Sequence, residues 1–164
     1  MNMISQIGPI KEQALFVESS MTMRDTAINL ARQLRGGKIL CLYGELGSGK
    51  TTFTQGVASG LGVQGEVNSP TFNILKLYLA EAIQQKVKRL YHIDCYRLER
   101  PEDILRLGFK EWISDKEGVT IIEWADKIKS ILPKNRIDIN FKITGENTRE
   151  LIIVNQYPNF KILI

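Results

Sequence analysis

Gly44-Glu45-Leu46-Gly47-Ser48-Gly49-Lys50-Thr51 has the form G-x-x-x-x-G-K-T, and each fixed position has a chemical reason. Glycines let successive backbone N–H groups turn inward around an anion, a lysine reaches the outer phosphates, and a threonine hydroxyl is a hard oxygen for a divalent cation. Glu45, Leu46, Gly47, Ser48, Gly49, Lys50, Thr51 and Thr52 are therefore expected to hold the phosphates of a nucleoside triphosphate. Magnesium between those phosphates needs a carboxylate as well, brought by the end of a neighbouring buried strand. Val119-Thr120-Ile121-Ile122-Glu123 has that form, which makes Thr51 and Glu123 the expected metal ligands.

His92-Ile93-Asp94 ends a second apolar run, and alternation sends His92 and Asp94 to one face while Ile93 packs opposite. Asp94 is placed either to orient an attacking water or to hold magnesium. His92 reads as a structural histidine or as support for Asp94, and Arg97 as an ion-pair partner of Asp94 or a phosphate contact. Ser69-Pro70-Thr71 sits between the loop helix and the next strand, where nucleotide switch proteins place a threonine on the metal, and Pro70 stiffens it. Asp94, Glu123 and Thr71 are the catalytic candidates.

The base is expected to be adenine. Asn135-Arg136-Ile137-Asp138 misses the guanine motif N-K-x-D by an arginine that is no neutral swap for lysine, and Asp138 falls in an alternating strand. Asp115-Lys116-Glu117-Gly118 matches D-x-x-G but precedes its strand instead of following it. Ser20 to Thr22 or Leu132-Pro133 could offer adenine an apolar surface.

Positioning these groups requires a strand, a glycine loop and a helix in that order. Ile39 to Tyr43 is an apolar run that predicts a buried strand, and Thr51 to Leu61 predicts a helix stopped by Gly60 and Gly62. The helix N-terminus then points its unpaired N–H groups at the phosphates. Upstream, Thr22 and Asp25 resemble a capping box for a helix whose apolar face is Met23, Ala27, Leu30, Ala31 and Leu34. Downstream, Asn73 to Leu79 and Arg89 to Asp94 predict a hairpin, and Pro101-Glu102-Asp103 starts a short helix that Gly108 is expected to end. Val119 to Ile122 is the next buried strand. Ile137, Ile139, Phe141 and Ile143 alternate with polar residues in a strand with one wet face, and Gly145-Glu146-Asn147 turns it into Arg149 to Val154. Such a mixture implies a three-layer α/β fold, P-loop NTPase-like, with a mixed parallel and antiparallel central sheet.

At 164 residues the chain is expected to form one domain. Met1 to Ser20 lacks the apolar core of a signal peptide and no stretch approaches the ~18 residues that span a membrane, so a cytoplasmic protein without a membrane partner is expected. Cys41 and Cys95 lie in apolar runs without metal or redox spacing and read as buried thiols. The formal charge of +4 is dispersed: residues 1–40 hold 5 basic and 3 acidic side chains, and residues 81–120 hold 8 of each. No basic stripe marks a DNA partner, and Lys86 to Arg89 reads as a solvated run.

Taken in series, G-E-L-G-S-G-K-T-T at Gly44 to Thr52, S-P-T-F at Ser69 to Phe72, Y-H-I-D-C-Y-R-L at Tyr91 to Leu98 and I-I-E-W at Ile121 to Trp124 resemble the TsaE (YjeE) family over about residues 20 to 154. The resemblance implies a small bacterial ATPase, using ATP and Mg2+, that works with TsaD and TsaB in making N6-threonylcarbamoyladenosine on transfer RNA. The RNA would be reached only through that complex. It also implies that Lys50 and the loop backbone hold phosphates, Thr51 and Glu123 hold magnesium, Asp94 is required for hydrolysis, Thr71 lies in a switch-like loop and Trp124 flanks the site. Glu45 stands where the family usually has Asp, Ser48 where Ala is common, and Ala125-Asp126 where Pro-Glu is frequent. A small kinase with a lid from Arg97, Arg100 and Arg106, or a non-hydrolysing nucleotide-dependent binding module, are the alternatives. Residues 155 to 164 lie outside the match and have no functional reading.

Overall fold

The central strand, Lys38–Tyr43, sends Leu40 and Leu42 to one side and Ile39 and Cys41 to the other, and each side is buried in a separate apolar cluster. Both faces of the sheet must therefore be covered, which makes three layers. A computed structural model of the chain describes residues 11–70 and 73–163. Its elements are β1 (Lys11–Val17), α1 (Ser20–Ala31), β2 (Lys38–Tyr43), α2 (Lys50–Gly60), β3 (Leu75–Ala82), β4 (Val87–Asp94), α3 (Pro101–Leu105), α4 (Phe109–Ser114), β5 (Gly118–Glu123), a 3-10 stretch over Ala125–Ile131, β6 (Ile137–Ile143) and β7 (Arg149–Asn155).

The seven strands lie in the order β1-β7-β6-β2-β5-β4-β3. β2 runs parallel to β5 and β6, and β4 parallel to β5, while β3, β7 and β1 each pair antiparallel with their neighbours. The mixed sheet expected from the sequence is thus present. Its parallel centre brings the carboxyl ends of β2, β4 and β5 to one edge, with Leu42 beside Glu123 and Glu123 beside Asp94. In open α/β sheets that edge is where ligands bind.

α1 and α2 cover one face through Met23, Ala27, Leu30, Ala31, Leu34, Phe53, Val57 and Leu61, all fully or almost fully buried. Phe53 fixes α2 to the sheet by an edge-to-face contact with Phe141, ring centroids 5.5 Å apart. Truncating such a ring costs about 3–5 kcal/mol, so the helix that carries Lys50 is firmly anchored. The other face is closed by Ile104 of α3, Phe109 of α4 and Ile128 of the 3-10 stretch, packed with Ile93 and Ile122; both cysteines are buried there and unbridged.

Local departures from expectation have local causes. α1 is capped by Ser19, whose Oγ accepts from the Thr22 N–H while Thr22 Oγ1 accepts from the Ser19 N–H, so Thr22 is the second member of the box and Asp25 has no part in it. Gly108 does not end the helical region. It takes a left-handed φ of 105° and starts α4, a helix that the sequence reading omits. β1 is likewise unexpected: its exposed Phe16 and Ala14 break the alternation, and pairing with β7 makes the strand. The C-terminal residues acquire a structural role, since the Ile39 N–H donates to Tyr157 Oη at 3.0 Å and Lys38 Nζ lies 4.2 Å from the Tyr157 ring centroid. Burial pushes the Tyr157 phenol up to about 12.

Candidate phosphate-binding site

The turn from β2 into α2 is built by backbone geometry open to glycine. Gly44 has φ 148°, and a Cβ there would lie 2.8 Å from both the Phe141 carbonyl and Ser48 Oγ. Gly49 caps α2 at φ 103° without a side-chain cap bond, which leaves the helix N–H groups facing outward from the loop. Lys50 folds back over this turn. Its Nζ donates to the Gly44 carbonyl at 2.7 Å and the Glu45 carbonyl at 2.9 Å, lies 3.4 Å from Ser48 Oγ, and sits 3.9 Å from the Trp124 ring centroid. Burial lowers the proton affinity of Lys50, opposed in part by Glu123, Asp94 and Asp126. A buried ammonium held by carbonyls and a π-face gains most from an added anion.

Glu123 ends β5 at 2% exposure, directly behind the loop. Its Oε2 accepts from Thr51 Oγ1 at 3.0 Å and its Oε1 lies 3.0 Å from Thr54 Oγ1. The two expected metal ligands are therefore in contact. Thr54 was not foreseen, although its place one helical turn after Thr51 puts both hydroxyls on one face. Asp94 is held differently: Oδ2 accepts from Ser69 Oγ at 2.6 Å and Oδ1 from the Tyr96 N–H at 2.9 Å. His92 lies on the same face as Asp94, as alternation requires, but its Nε2 is 2.8 Å from Glu123 Oε1. The histidine thus meets Glu123, where the sequence offers a structural histidine or support for Asp94.

These groups open on a cavity of about 630 Å³ lined by Leu46, Gly47, Gly49, Lys50, Thr51, Thr52, Ser69, Asp94, Arg97, Glu123 and Trp124, among others. Leu46 stands 78% exposed at the loop crest, Ser48 is fully buried beneath it, and Glu45 directs its carbonyl to Lys50 with its side chain exposed. Trp124 adopts a left-handed φ of 57°, unusual for a bulky residue, which turns its ring over Lys50 and against Tyr96, 4.9 Å between centroids. Thr71 lies outside the described residues. Neither segment suggested as an adenine surface, Ser20 to Thr22 or Leu132-Pro133, lines this cavity; its apolar walls include Ile74, Tyr96 and Trp124.

A further contact links the loop to the β6–β7 hairpin. Arg149 donates to the Gly47 carbonyl at 3.1 Å, and its other terminal nitrogen to the Gly145 and Thr148 carbonyls at 2.9 and 2.8 Å. No motif announces it, because the partners are backbone oxygens far away in sequence. The near-guanine motif has other work, with Asp138 accepting from Tyr43 Oη, Arg136 and Gln156. Asp115 of the D-x-x-G match is held by Arg89 and Tyr91 at the start of β5, the end opposite Glu123.

Comparison with known proteins agrees with this architecture. Residues 17–151 match the family model described as threonylcarbamoyl adenosine biosynthesis protein TsaE. The chain is 46% identical to the tRNA threonylcarbamoyladenosine biosynthesis protein TsaE of Bacillus subtilis over 116 residues, 70% of this chain and 68% of that protein. It is 36% identical to the Treponema pallidum protein of the same name, covering 82% of this chain and 96% of that one. The crystal structure of Bacillus subtilis YdiB superposes with a TM-score of 0.76 at 32% identity, over 93% of this chain and 91% of that chain.

Proposed function

The chain belongs to the TsaE family of threonylcarbamoyl adenosine biosynthesis proteins, and from that premise we propose that it is a magnesium-dependent ATPase that docks on the TsaD–TsaB pair and resets it between turnovers. The observation that carries this reading is the contact of Thr51 Oγ1 with Glu123 Oε2, 3.0 Å apart beneath the Lys50 loop. Two hard oxygens at the mouth of a phosphate loop suit magnesium, which takes one or two protein ligands and completes its shell with phosphates and water. Among the described residues no group of three or more His, Cys, Asp or Glu side chains could hold a metal alone, which fits an ion shared with the nucleotide. When bound, magnesium neutralises charge on the outer phosphates.

This chain's residues do the rest. The loop N–H groups and Lys50 bind the phosphates and favour the charge that builds on the oxygens as the terminal P–O bond breaks. Asp94, fixed by Ser69 and the Tyr96 N–H, accepts a hydrogen bond from the attacking water and aims its oxygen at the terminal phosphorus. Because Ser69 Oγ donates to Asp94 Oδ2, the placing of Ser69 and the aim of Asp94 are one event. A partner that packs against Ser69 would therefore speed hydrolysis without donating a catalytic group.

A kinase lid has less support, since Arg97 lines the cavity but Arg100 and Arg106 do not, and Arg100 pairs with Asp103 at 3.0 Å. Product analysis tests the proposal: incubation with Mg-ATP releases free phosphate. A phosphorylated acceptor, or ATP recovered intact with partners present, would replace it with one of the alternatives.

A further inference from the structure

His92 is the chain's sole histidine, fully buried on β4. On that face of the sheet it stands beside apolar Leu90 and Ile121, with Lys76 of β3 opposite it and Asp94 next along β4. Among the described residues, the one polar contact that the ring makes is with Glu123 Oε1, at 2.8 Å. A carboxylate only accepts, so Nε2 carries the proton. Nδ1 has no hydrogen-bond partner among the described residues. The opposite tautomer would set two acceptors against each other and bury an N–H without an acceptor.

Glu123 is consequently divided. Oε1 receives His92 and Thr54, at 2.8 and 3.0 Å, whereas Oε2 meets Thr51 at 3.0 Å. We propose that His92 is a positioning residue for the divalent cation: by tying Oε1 to β4 it fixes the carboxylate rotamer and dedicates Oε2, with Thr51, to magnesium. It touches neither the nucleotide nor the ion. The inference rests on the proposed role of Glu123. Partners of this kind, one step behind a metal ligand, alter metal affinity or activity by about 10–100-fold when removed.

Two experiments decide it. In the tag-free chain labelled with 15N-histidine a single imidazole is observed. The expected spectrum is that of the Nε2–H tautomer, with a nitrogen shift that differs between metal-free ADP and Mg-ADP; an Nδ1–H tautomer, or identical shifts in the two complexes, overturns the proposal. Calorimetry with ADP over a range of Mg2+ then compares His92→Leu with His92→Gln, whose amide N–H can replace Nε2–H. His92→Leu should need about 10–100-fold more Mg2+ for tight binding while metal-free ADP affinity is unchanged, and His92→Gln should restore most of the difference. A wild-type Mg2+ requirement in His92→Leu, or no recovery in His92→Gln, refutes it. If His92→Leu does not fold, the wild-type spectrum and His92→Gln still decide. Failure of the underlying reading looks different: Glu123→Ala would then leave the Mg2+ requirement unchanged.

Discussion

Replacing Lys50 by methionine separates the cost of the free site from its gain on binding. Lys50 is 5% exposed and its proton affinity is lowered chiefly by desolvation. Desolvation of this kind is a penalty that the charged form carries in the folded state and not in the unfolded one. Methionine keeps the bulk against Trp124 and removes that penalty, while giving up the bonds to the Gly44 and Glu45 carbonyls. These effects oppose, so the ligand-free melting midpoint should move by less than about 4 °C, or about 1 kcal/mol for a domain of this size. With nucleotide the terms no longer cancel. A charge-assisted phosphate contact contributes about 1.5–3 kcal/mol, so affinity should fall roughly 10- to 150-fold. At a concentration 100 times the native Kd, ligand stabilises the native chain by about 2.7 kcal/mol, but the variant by only about 0.3–1.4 kcal/mol. In a thermal-shift assay that is a rise of about 5–11 °C against about 1–6 °C. Equal rises would refute the phosphate role of Lys50. A ligand-free midpoint lowered by ten degrees or more would refute the balance drawn for its burial.

Glu123→Ala and Asp94→Ala should impair turnover more than nucleotide affinity, because their proposed roles concern magnesium and the attacking water; native turnover in both variants would remove them from the site. Trp124 fluorescence should change when Mg-nucleotide binds, since its ring lies 3.9 Å from Lys50 Nζ, and the response should vanish in Trp124→Phe and persist in Trp112→Phe. The reverse pattern would show that the wrong tryptophan reports the site. Away from it, hydrogen bonds from Arg89 hold the Asp115 carboxyl well below the usual carboxylate range, against the opposing effect of burial. A depressed carboxylate stabilises the fold above its unfolded pKa of about 3.9, and that stability is lost as pH falls through the folded value. The melting midpoint of Asp115→Asn should therefore trail the native one at pH 7, with the gap narrowing below about pH 4; a gap independent of pH contradicts the assignment.

The parts of the site legible in the sequence are those whose chemistry is local. Gly44 to Thr51 specifies its own turn, and the apolar run ending in Glu123 specifies a buried strand with a carboxylate at its tip. Alternation also placed His92 and Asp94 on one face. It could not say which neighbour His92 would meet, because that depends on β4 lying beside β5 in a register that sets His92 opposite Ile121. Thr54 was within reach of helical periodicity, whereas Arg149 was not, since its contact with Gly47 needs the β6–β7 hairpin to fold next to the loop. Among the elements, α4 was lost because Gly108 was read as a stop when its left-handed backbone starts a helix. β1 was lost because an edge strand with exposed Phe16 shows no clean period.

Steady-state phosphate release from the purified chain, alone and with reconstituted TsaD and TsaB, separates ATP hydrolysis from nucleotide binding alone. Slow Mg-dependent release is expected from the chain alone, abolished in Glu123→Ala, with a large acceleration when the partners dock and hold Ser69 on Asp94. Where a partner completes a phosphate-loop site, the gain reaches roughly 10³–10⁵-fold. Full activity in isolation that saturating partners leave unchanged would contradict partner-dependent activation, and no phosphate release under either condition would contradict the ATPase itself.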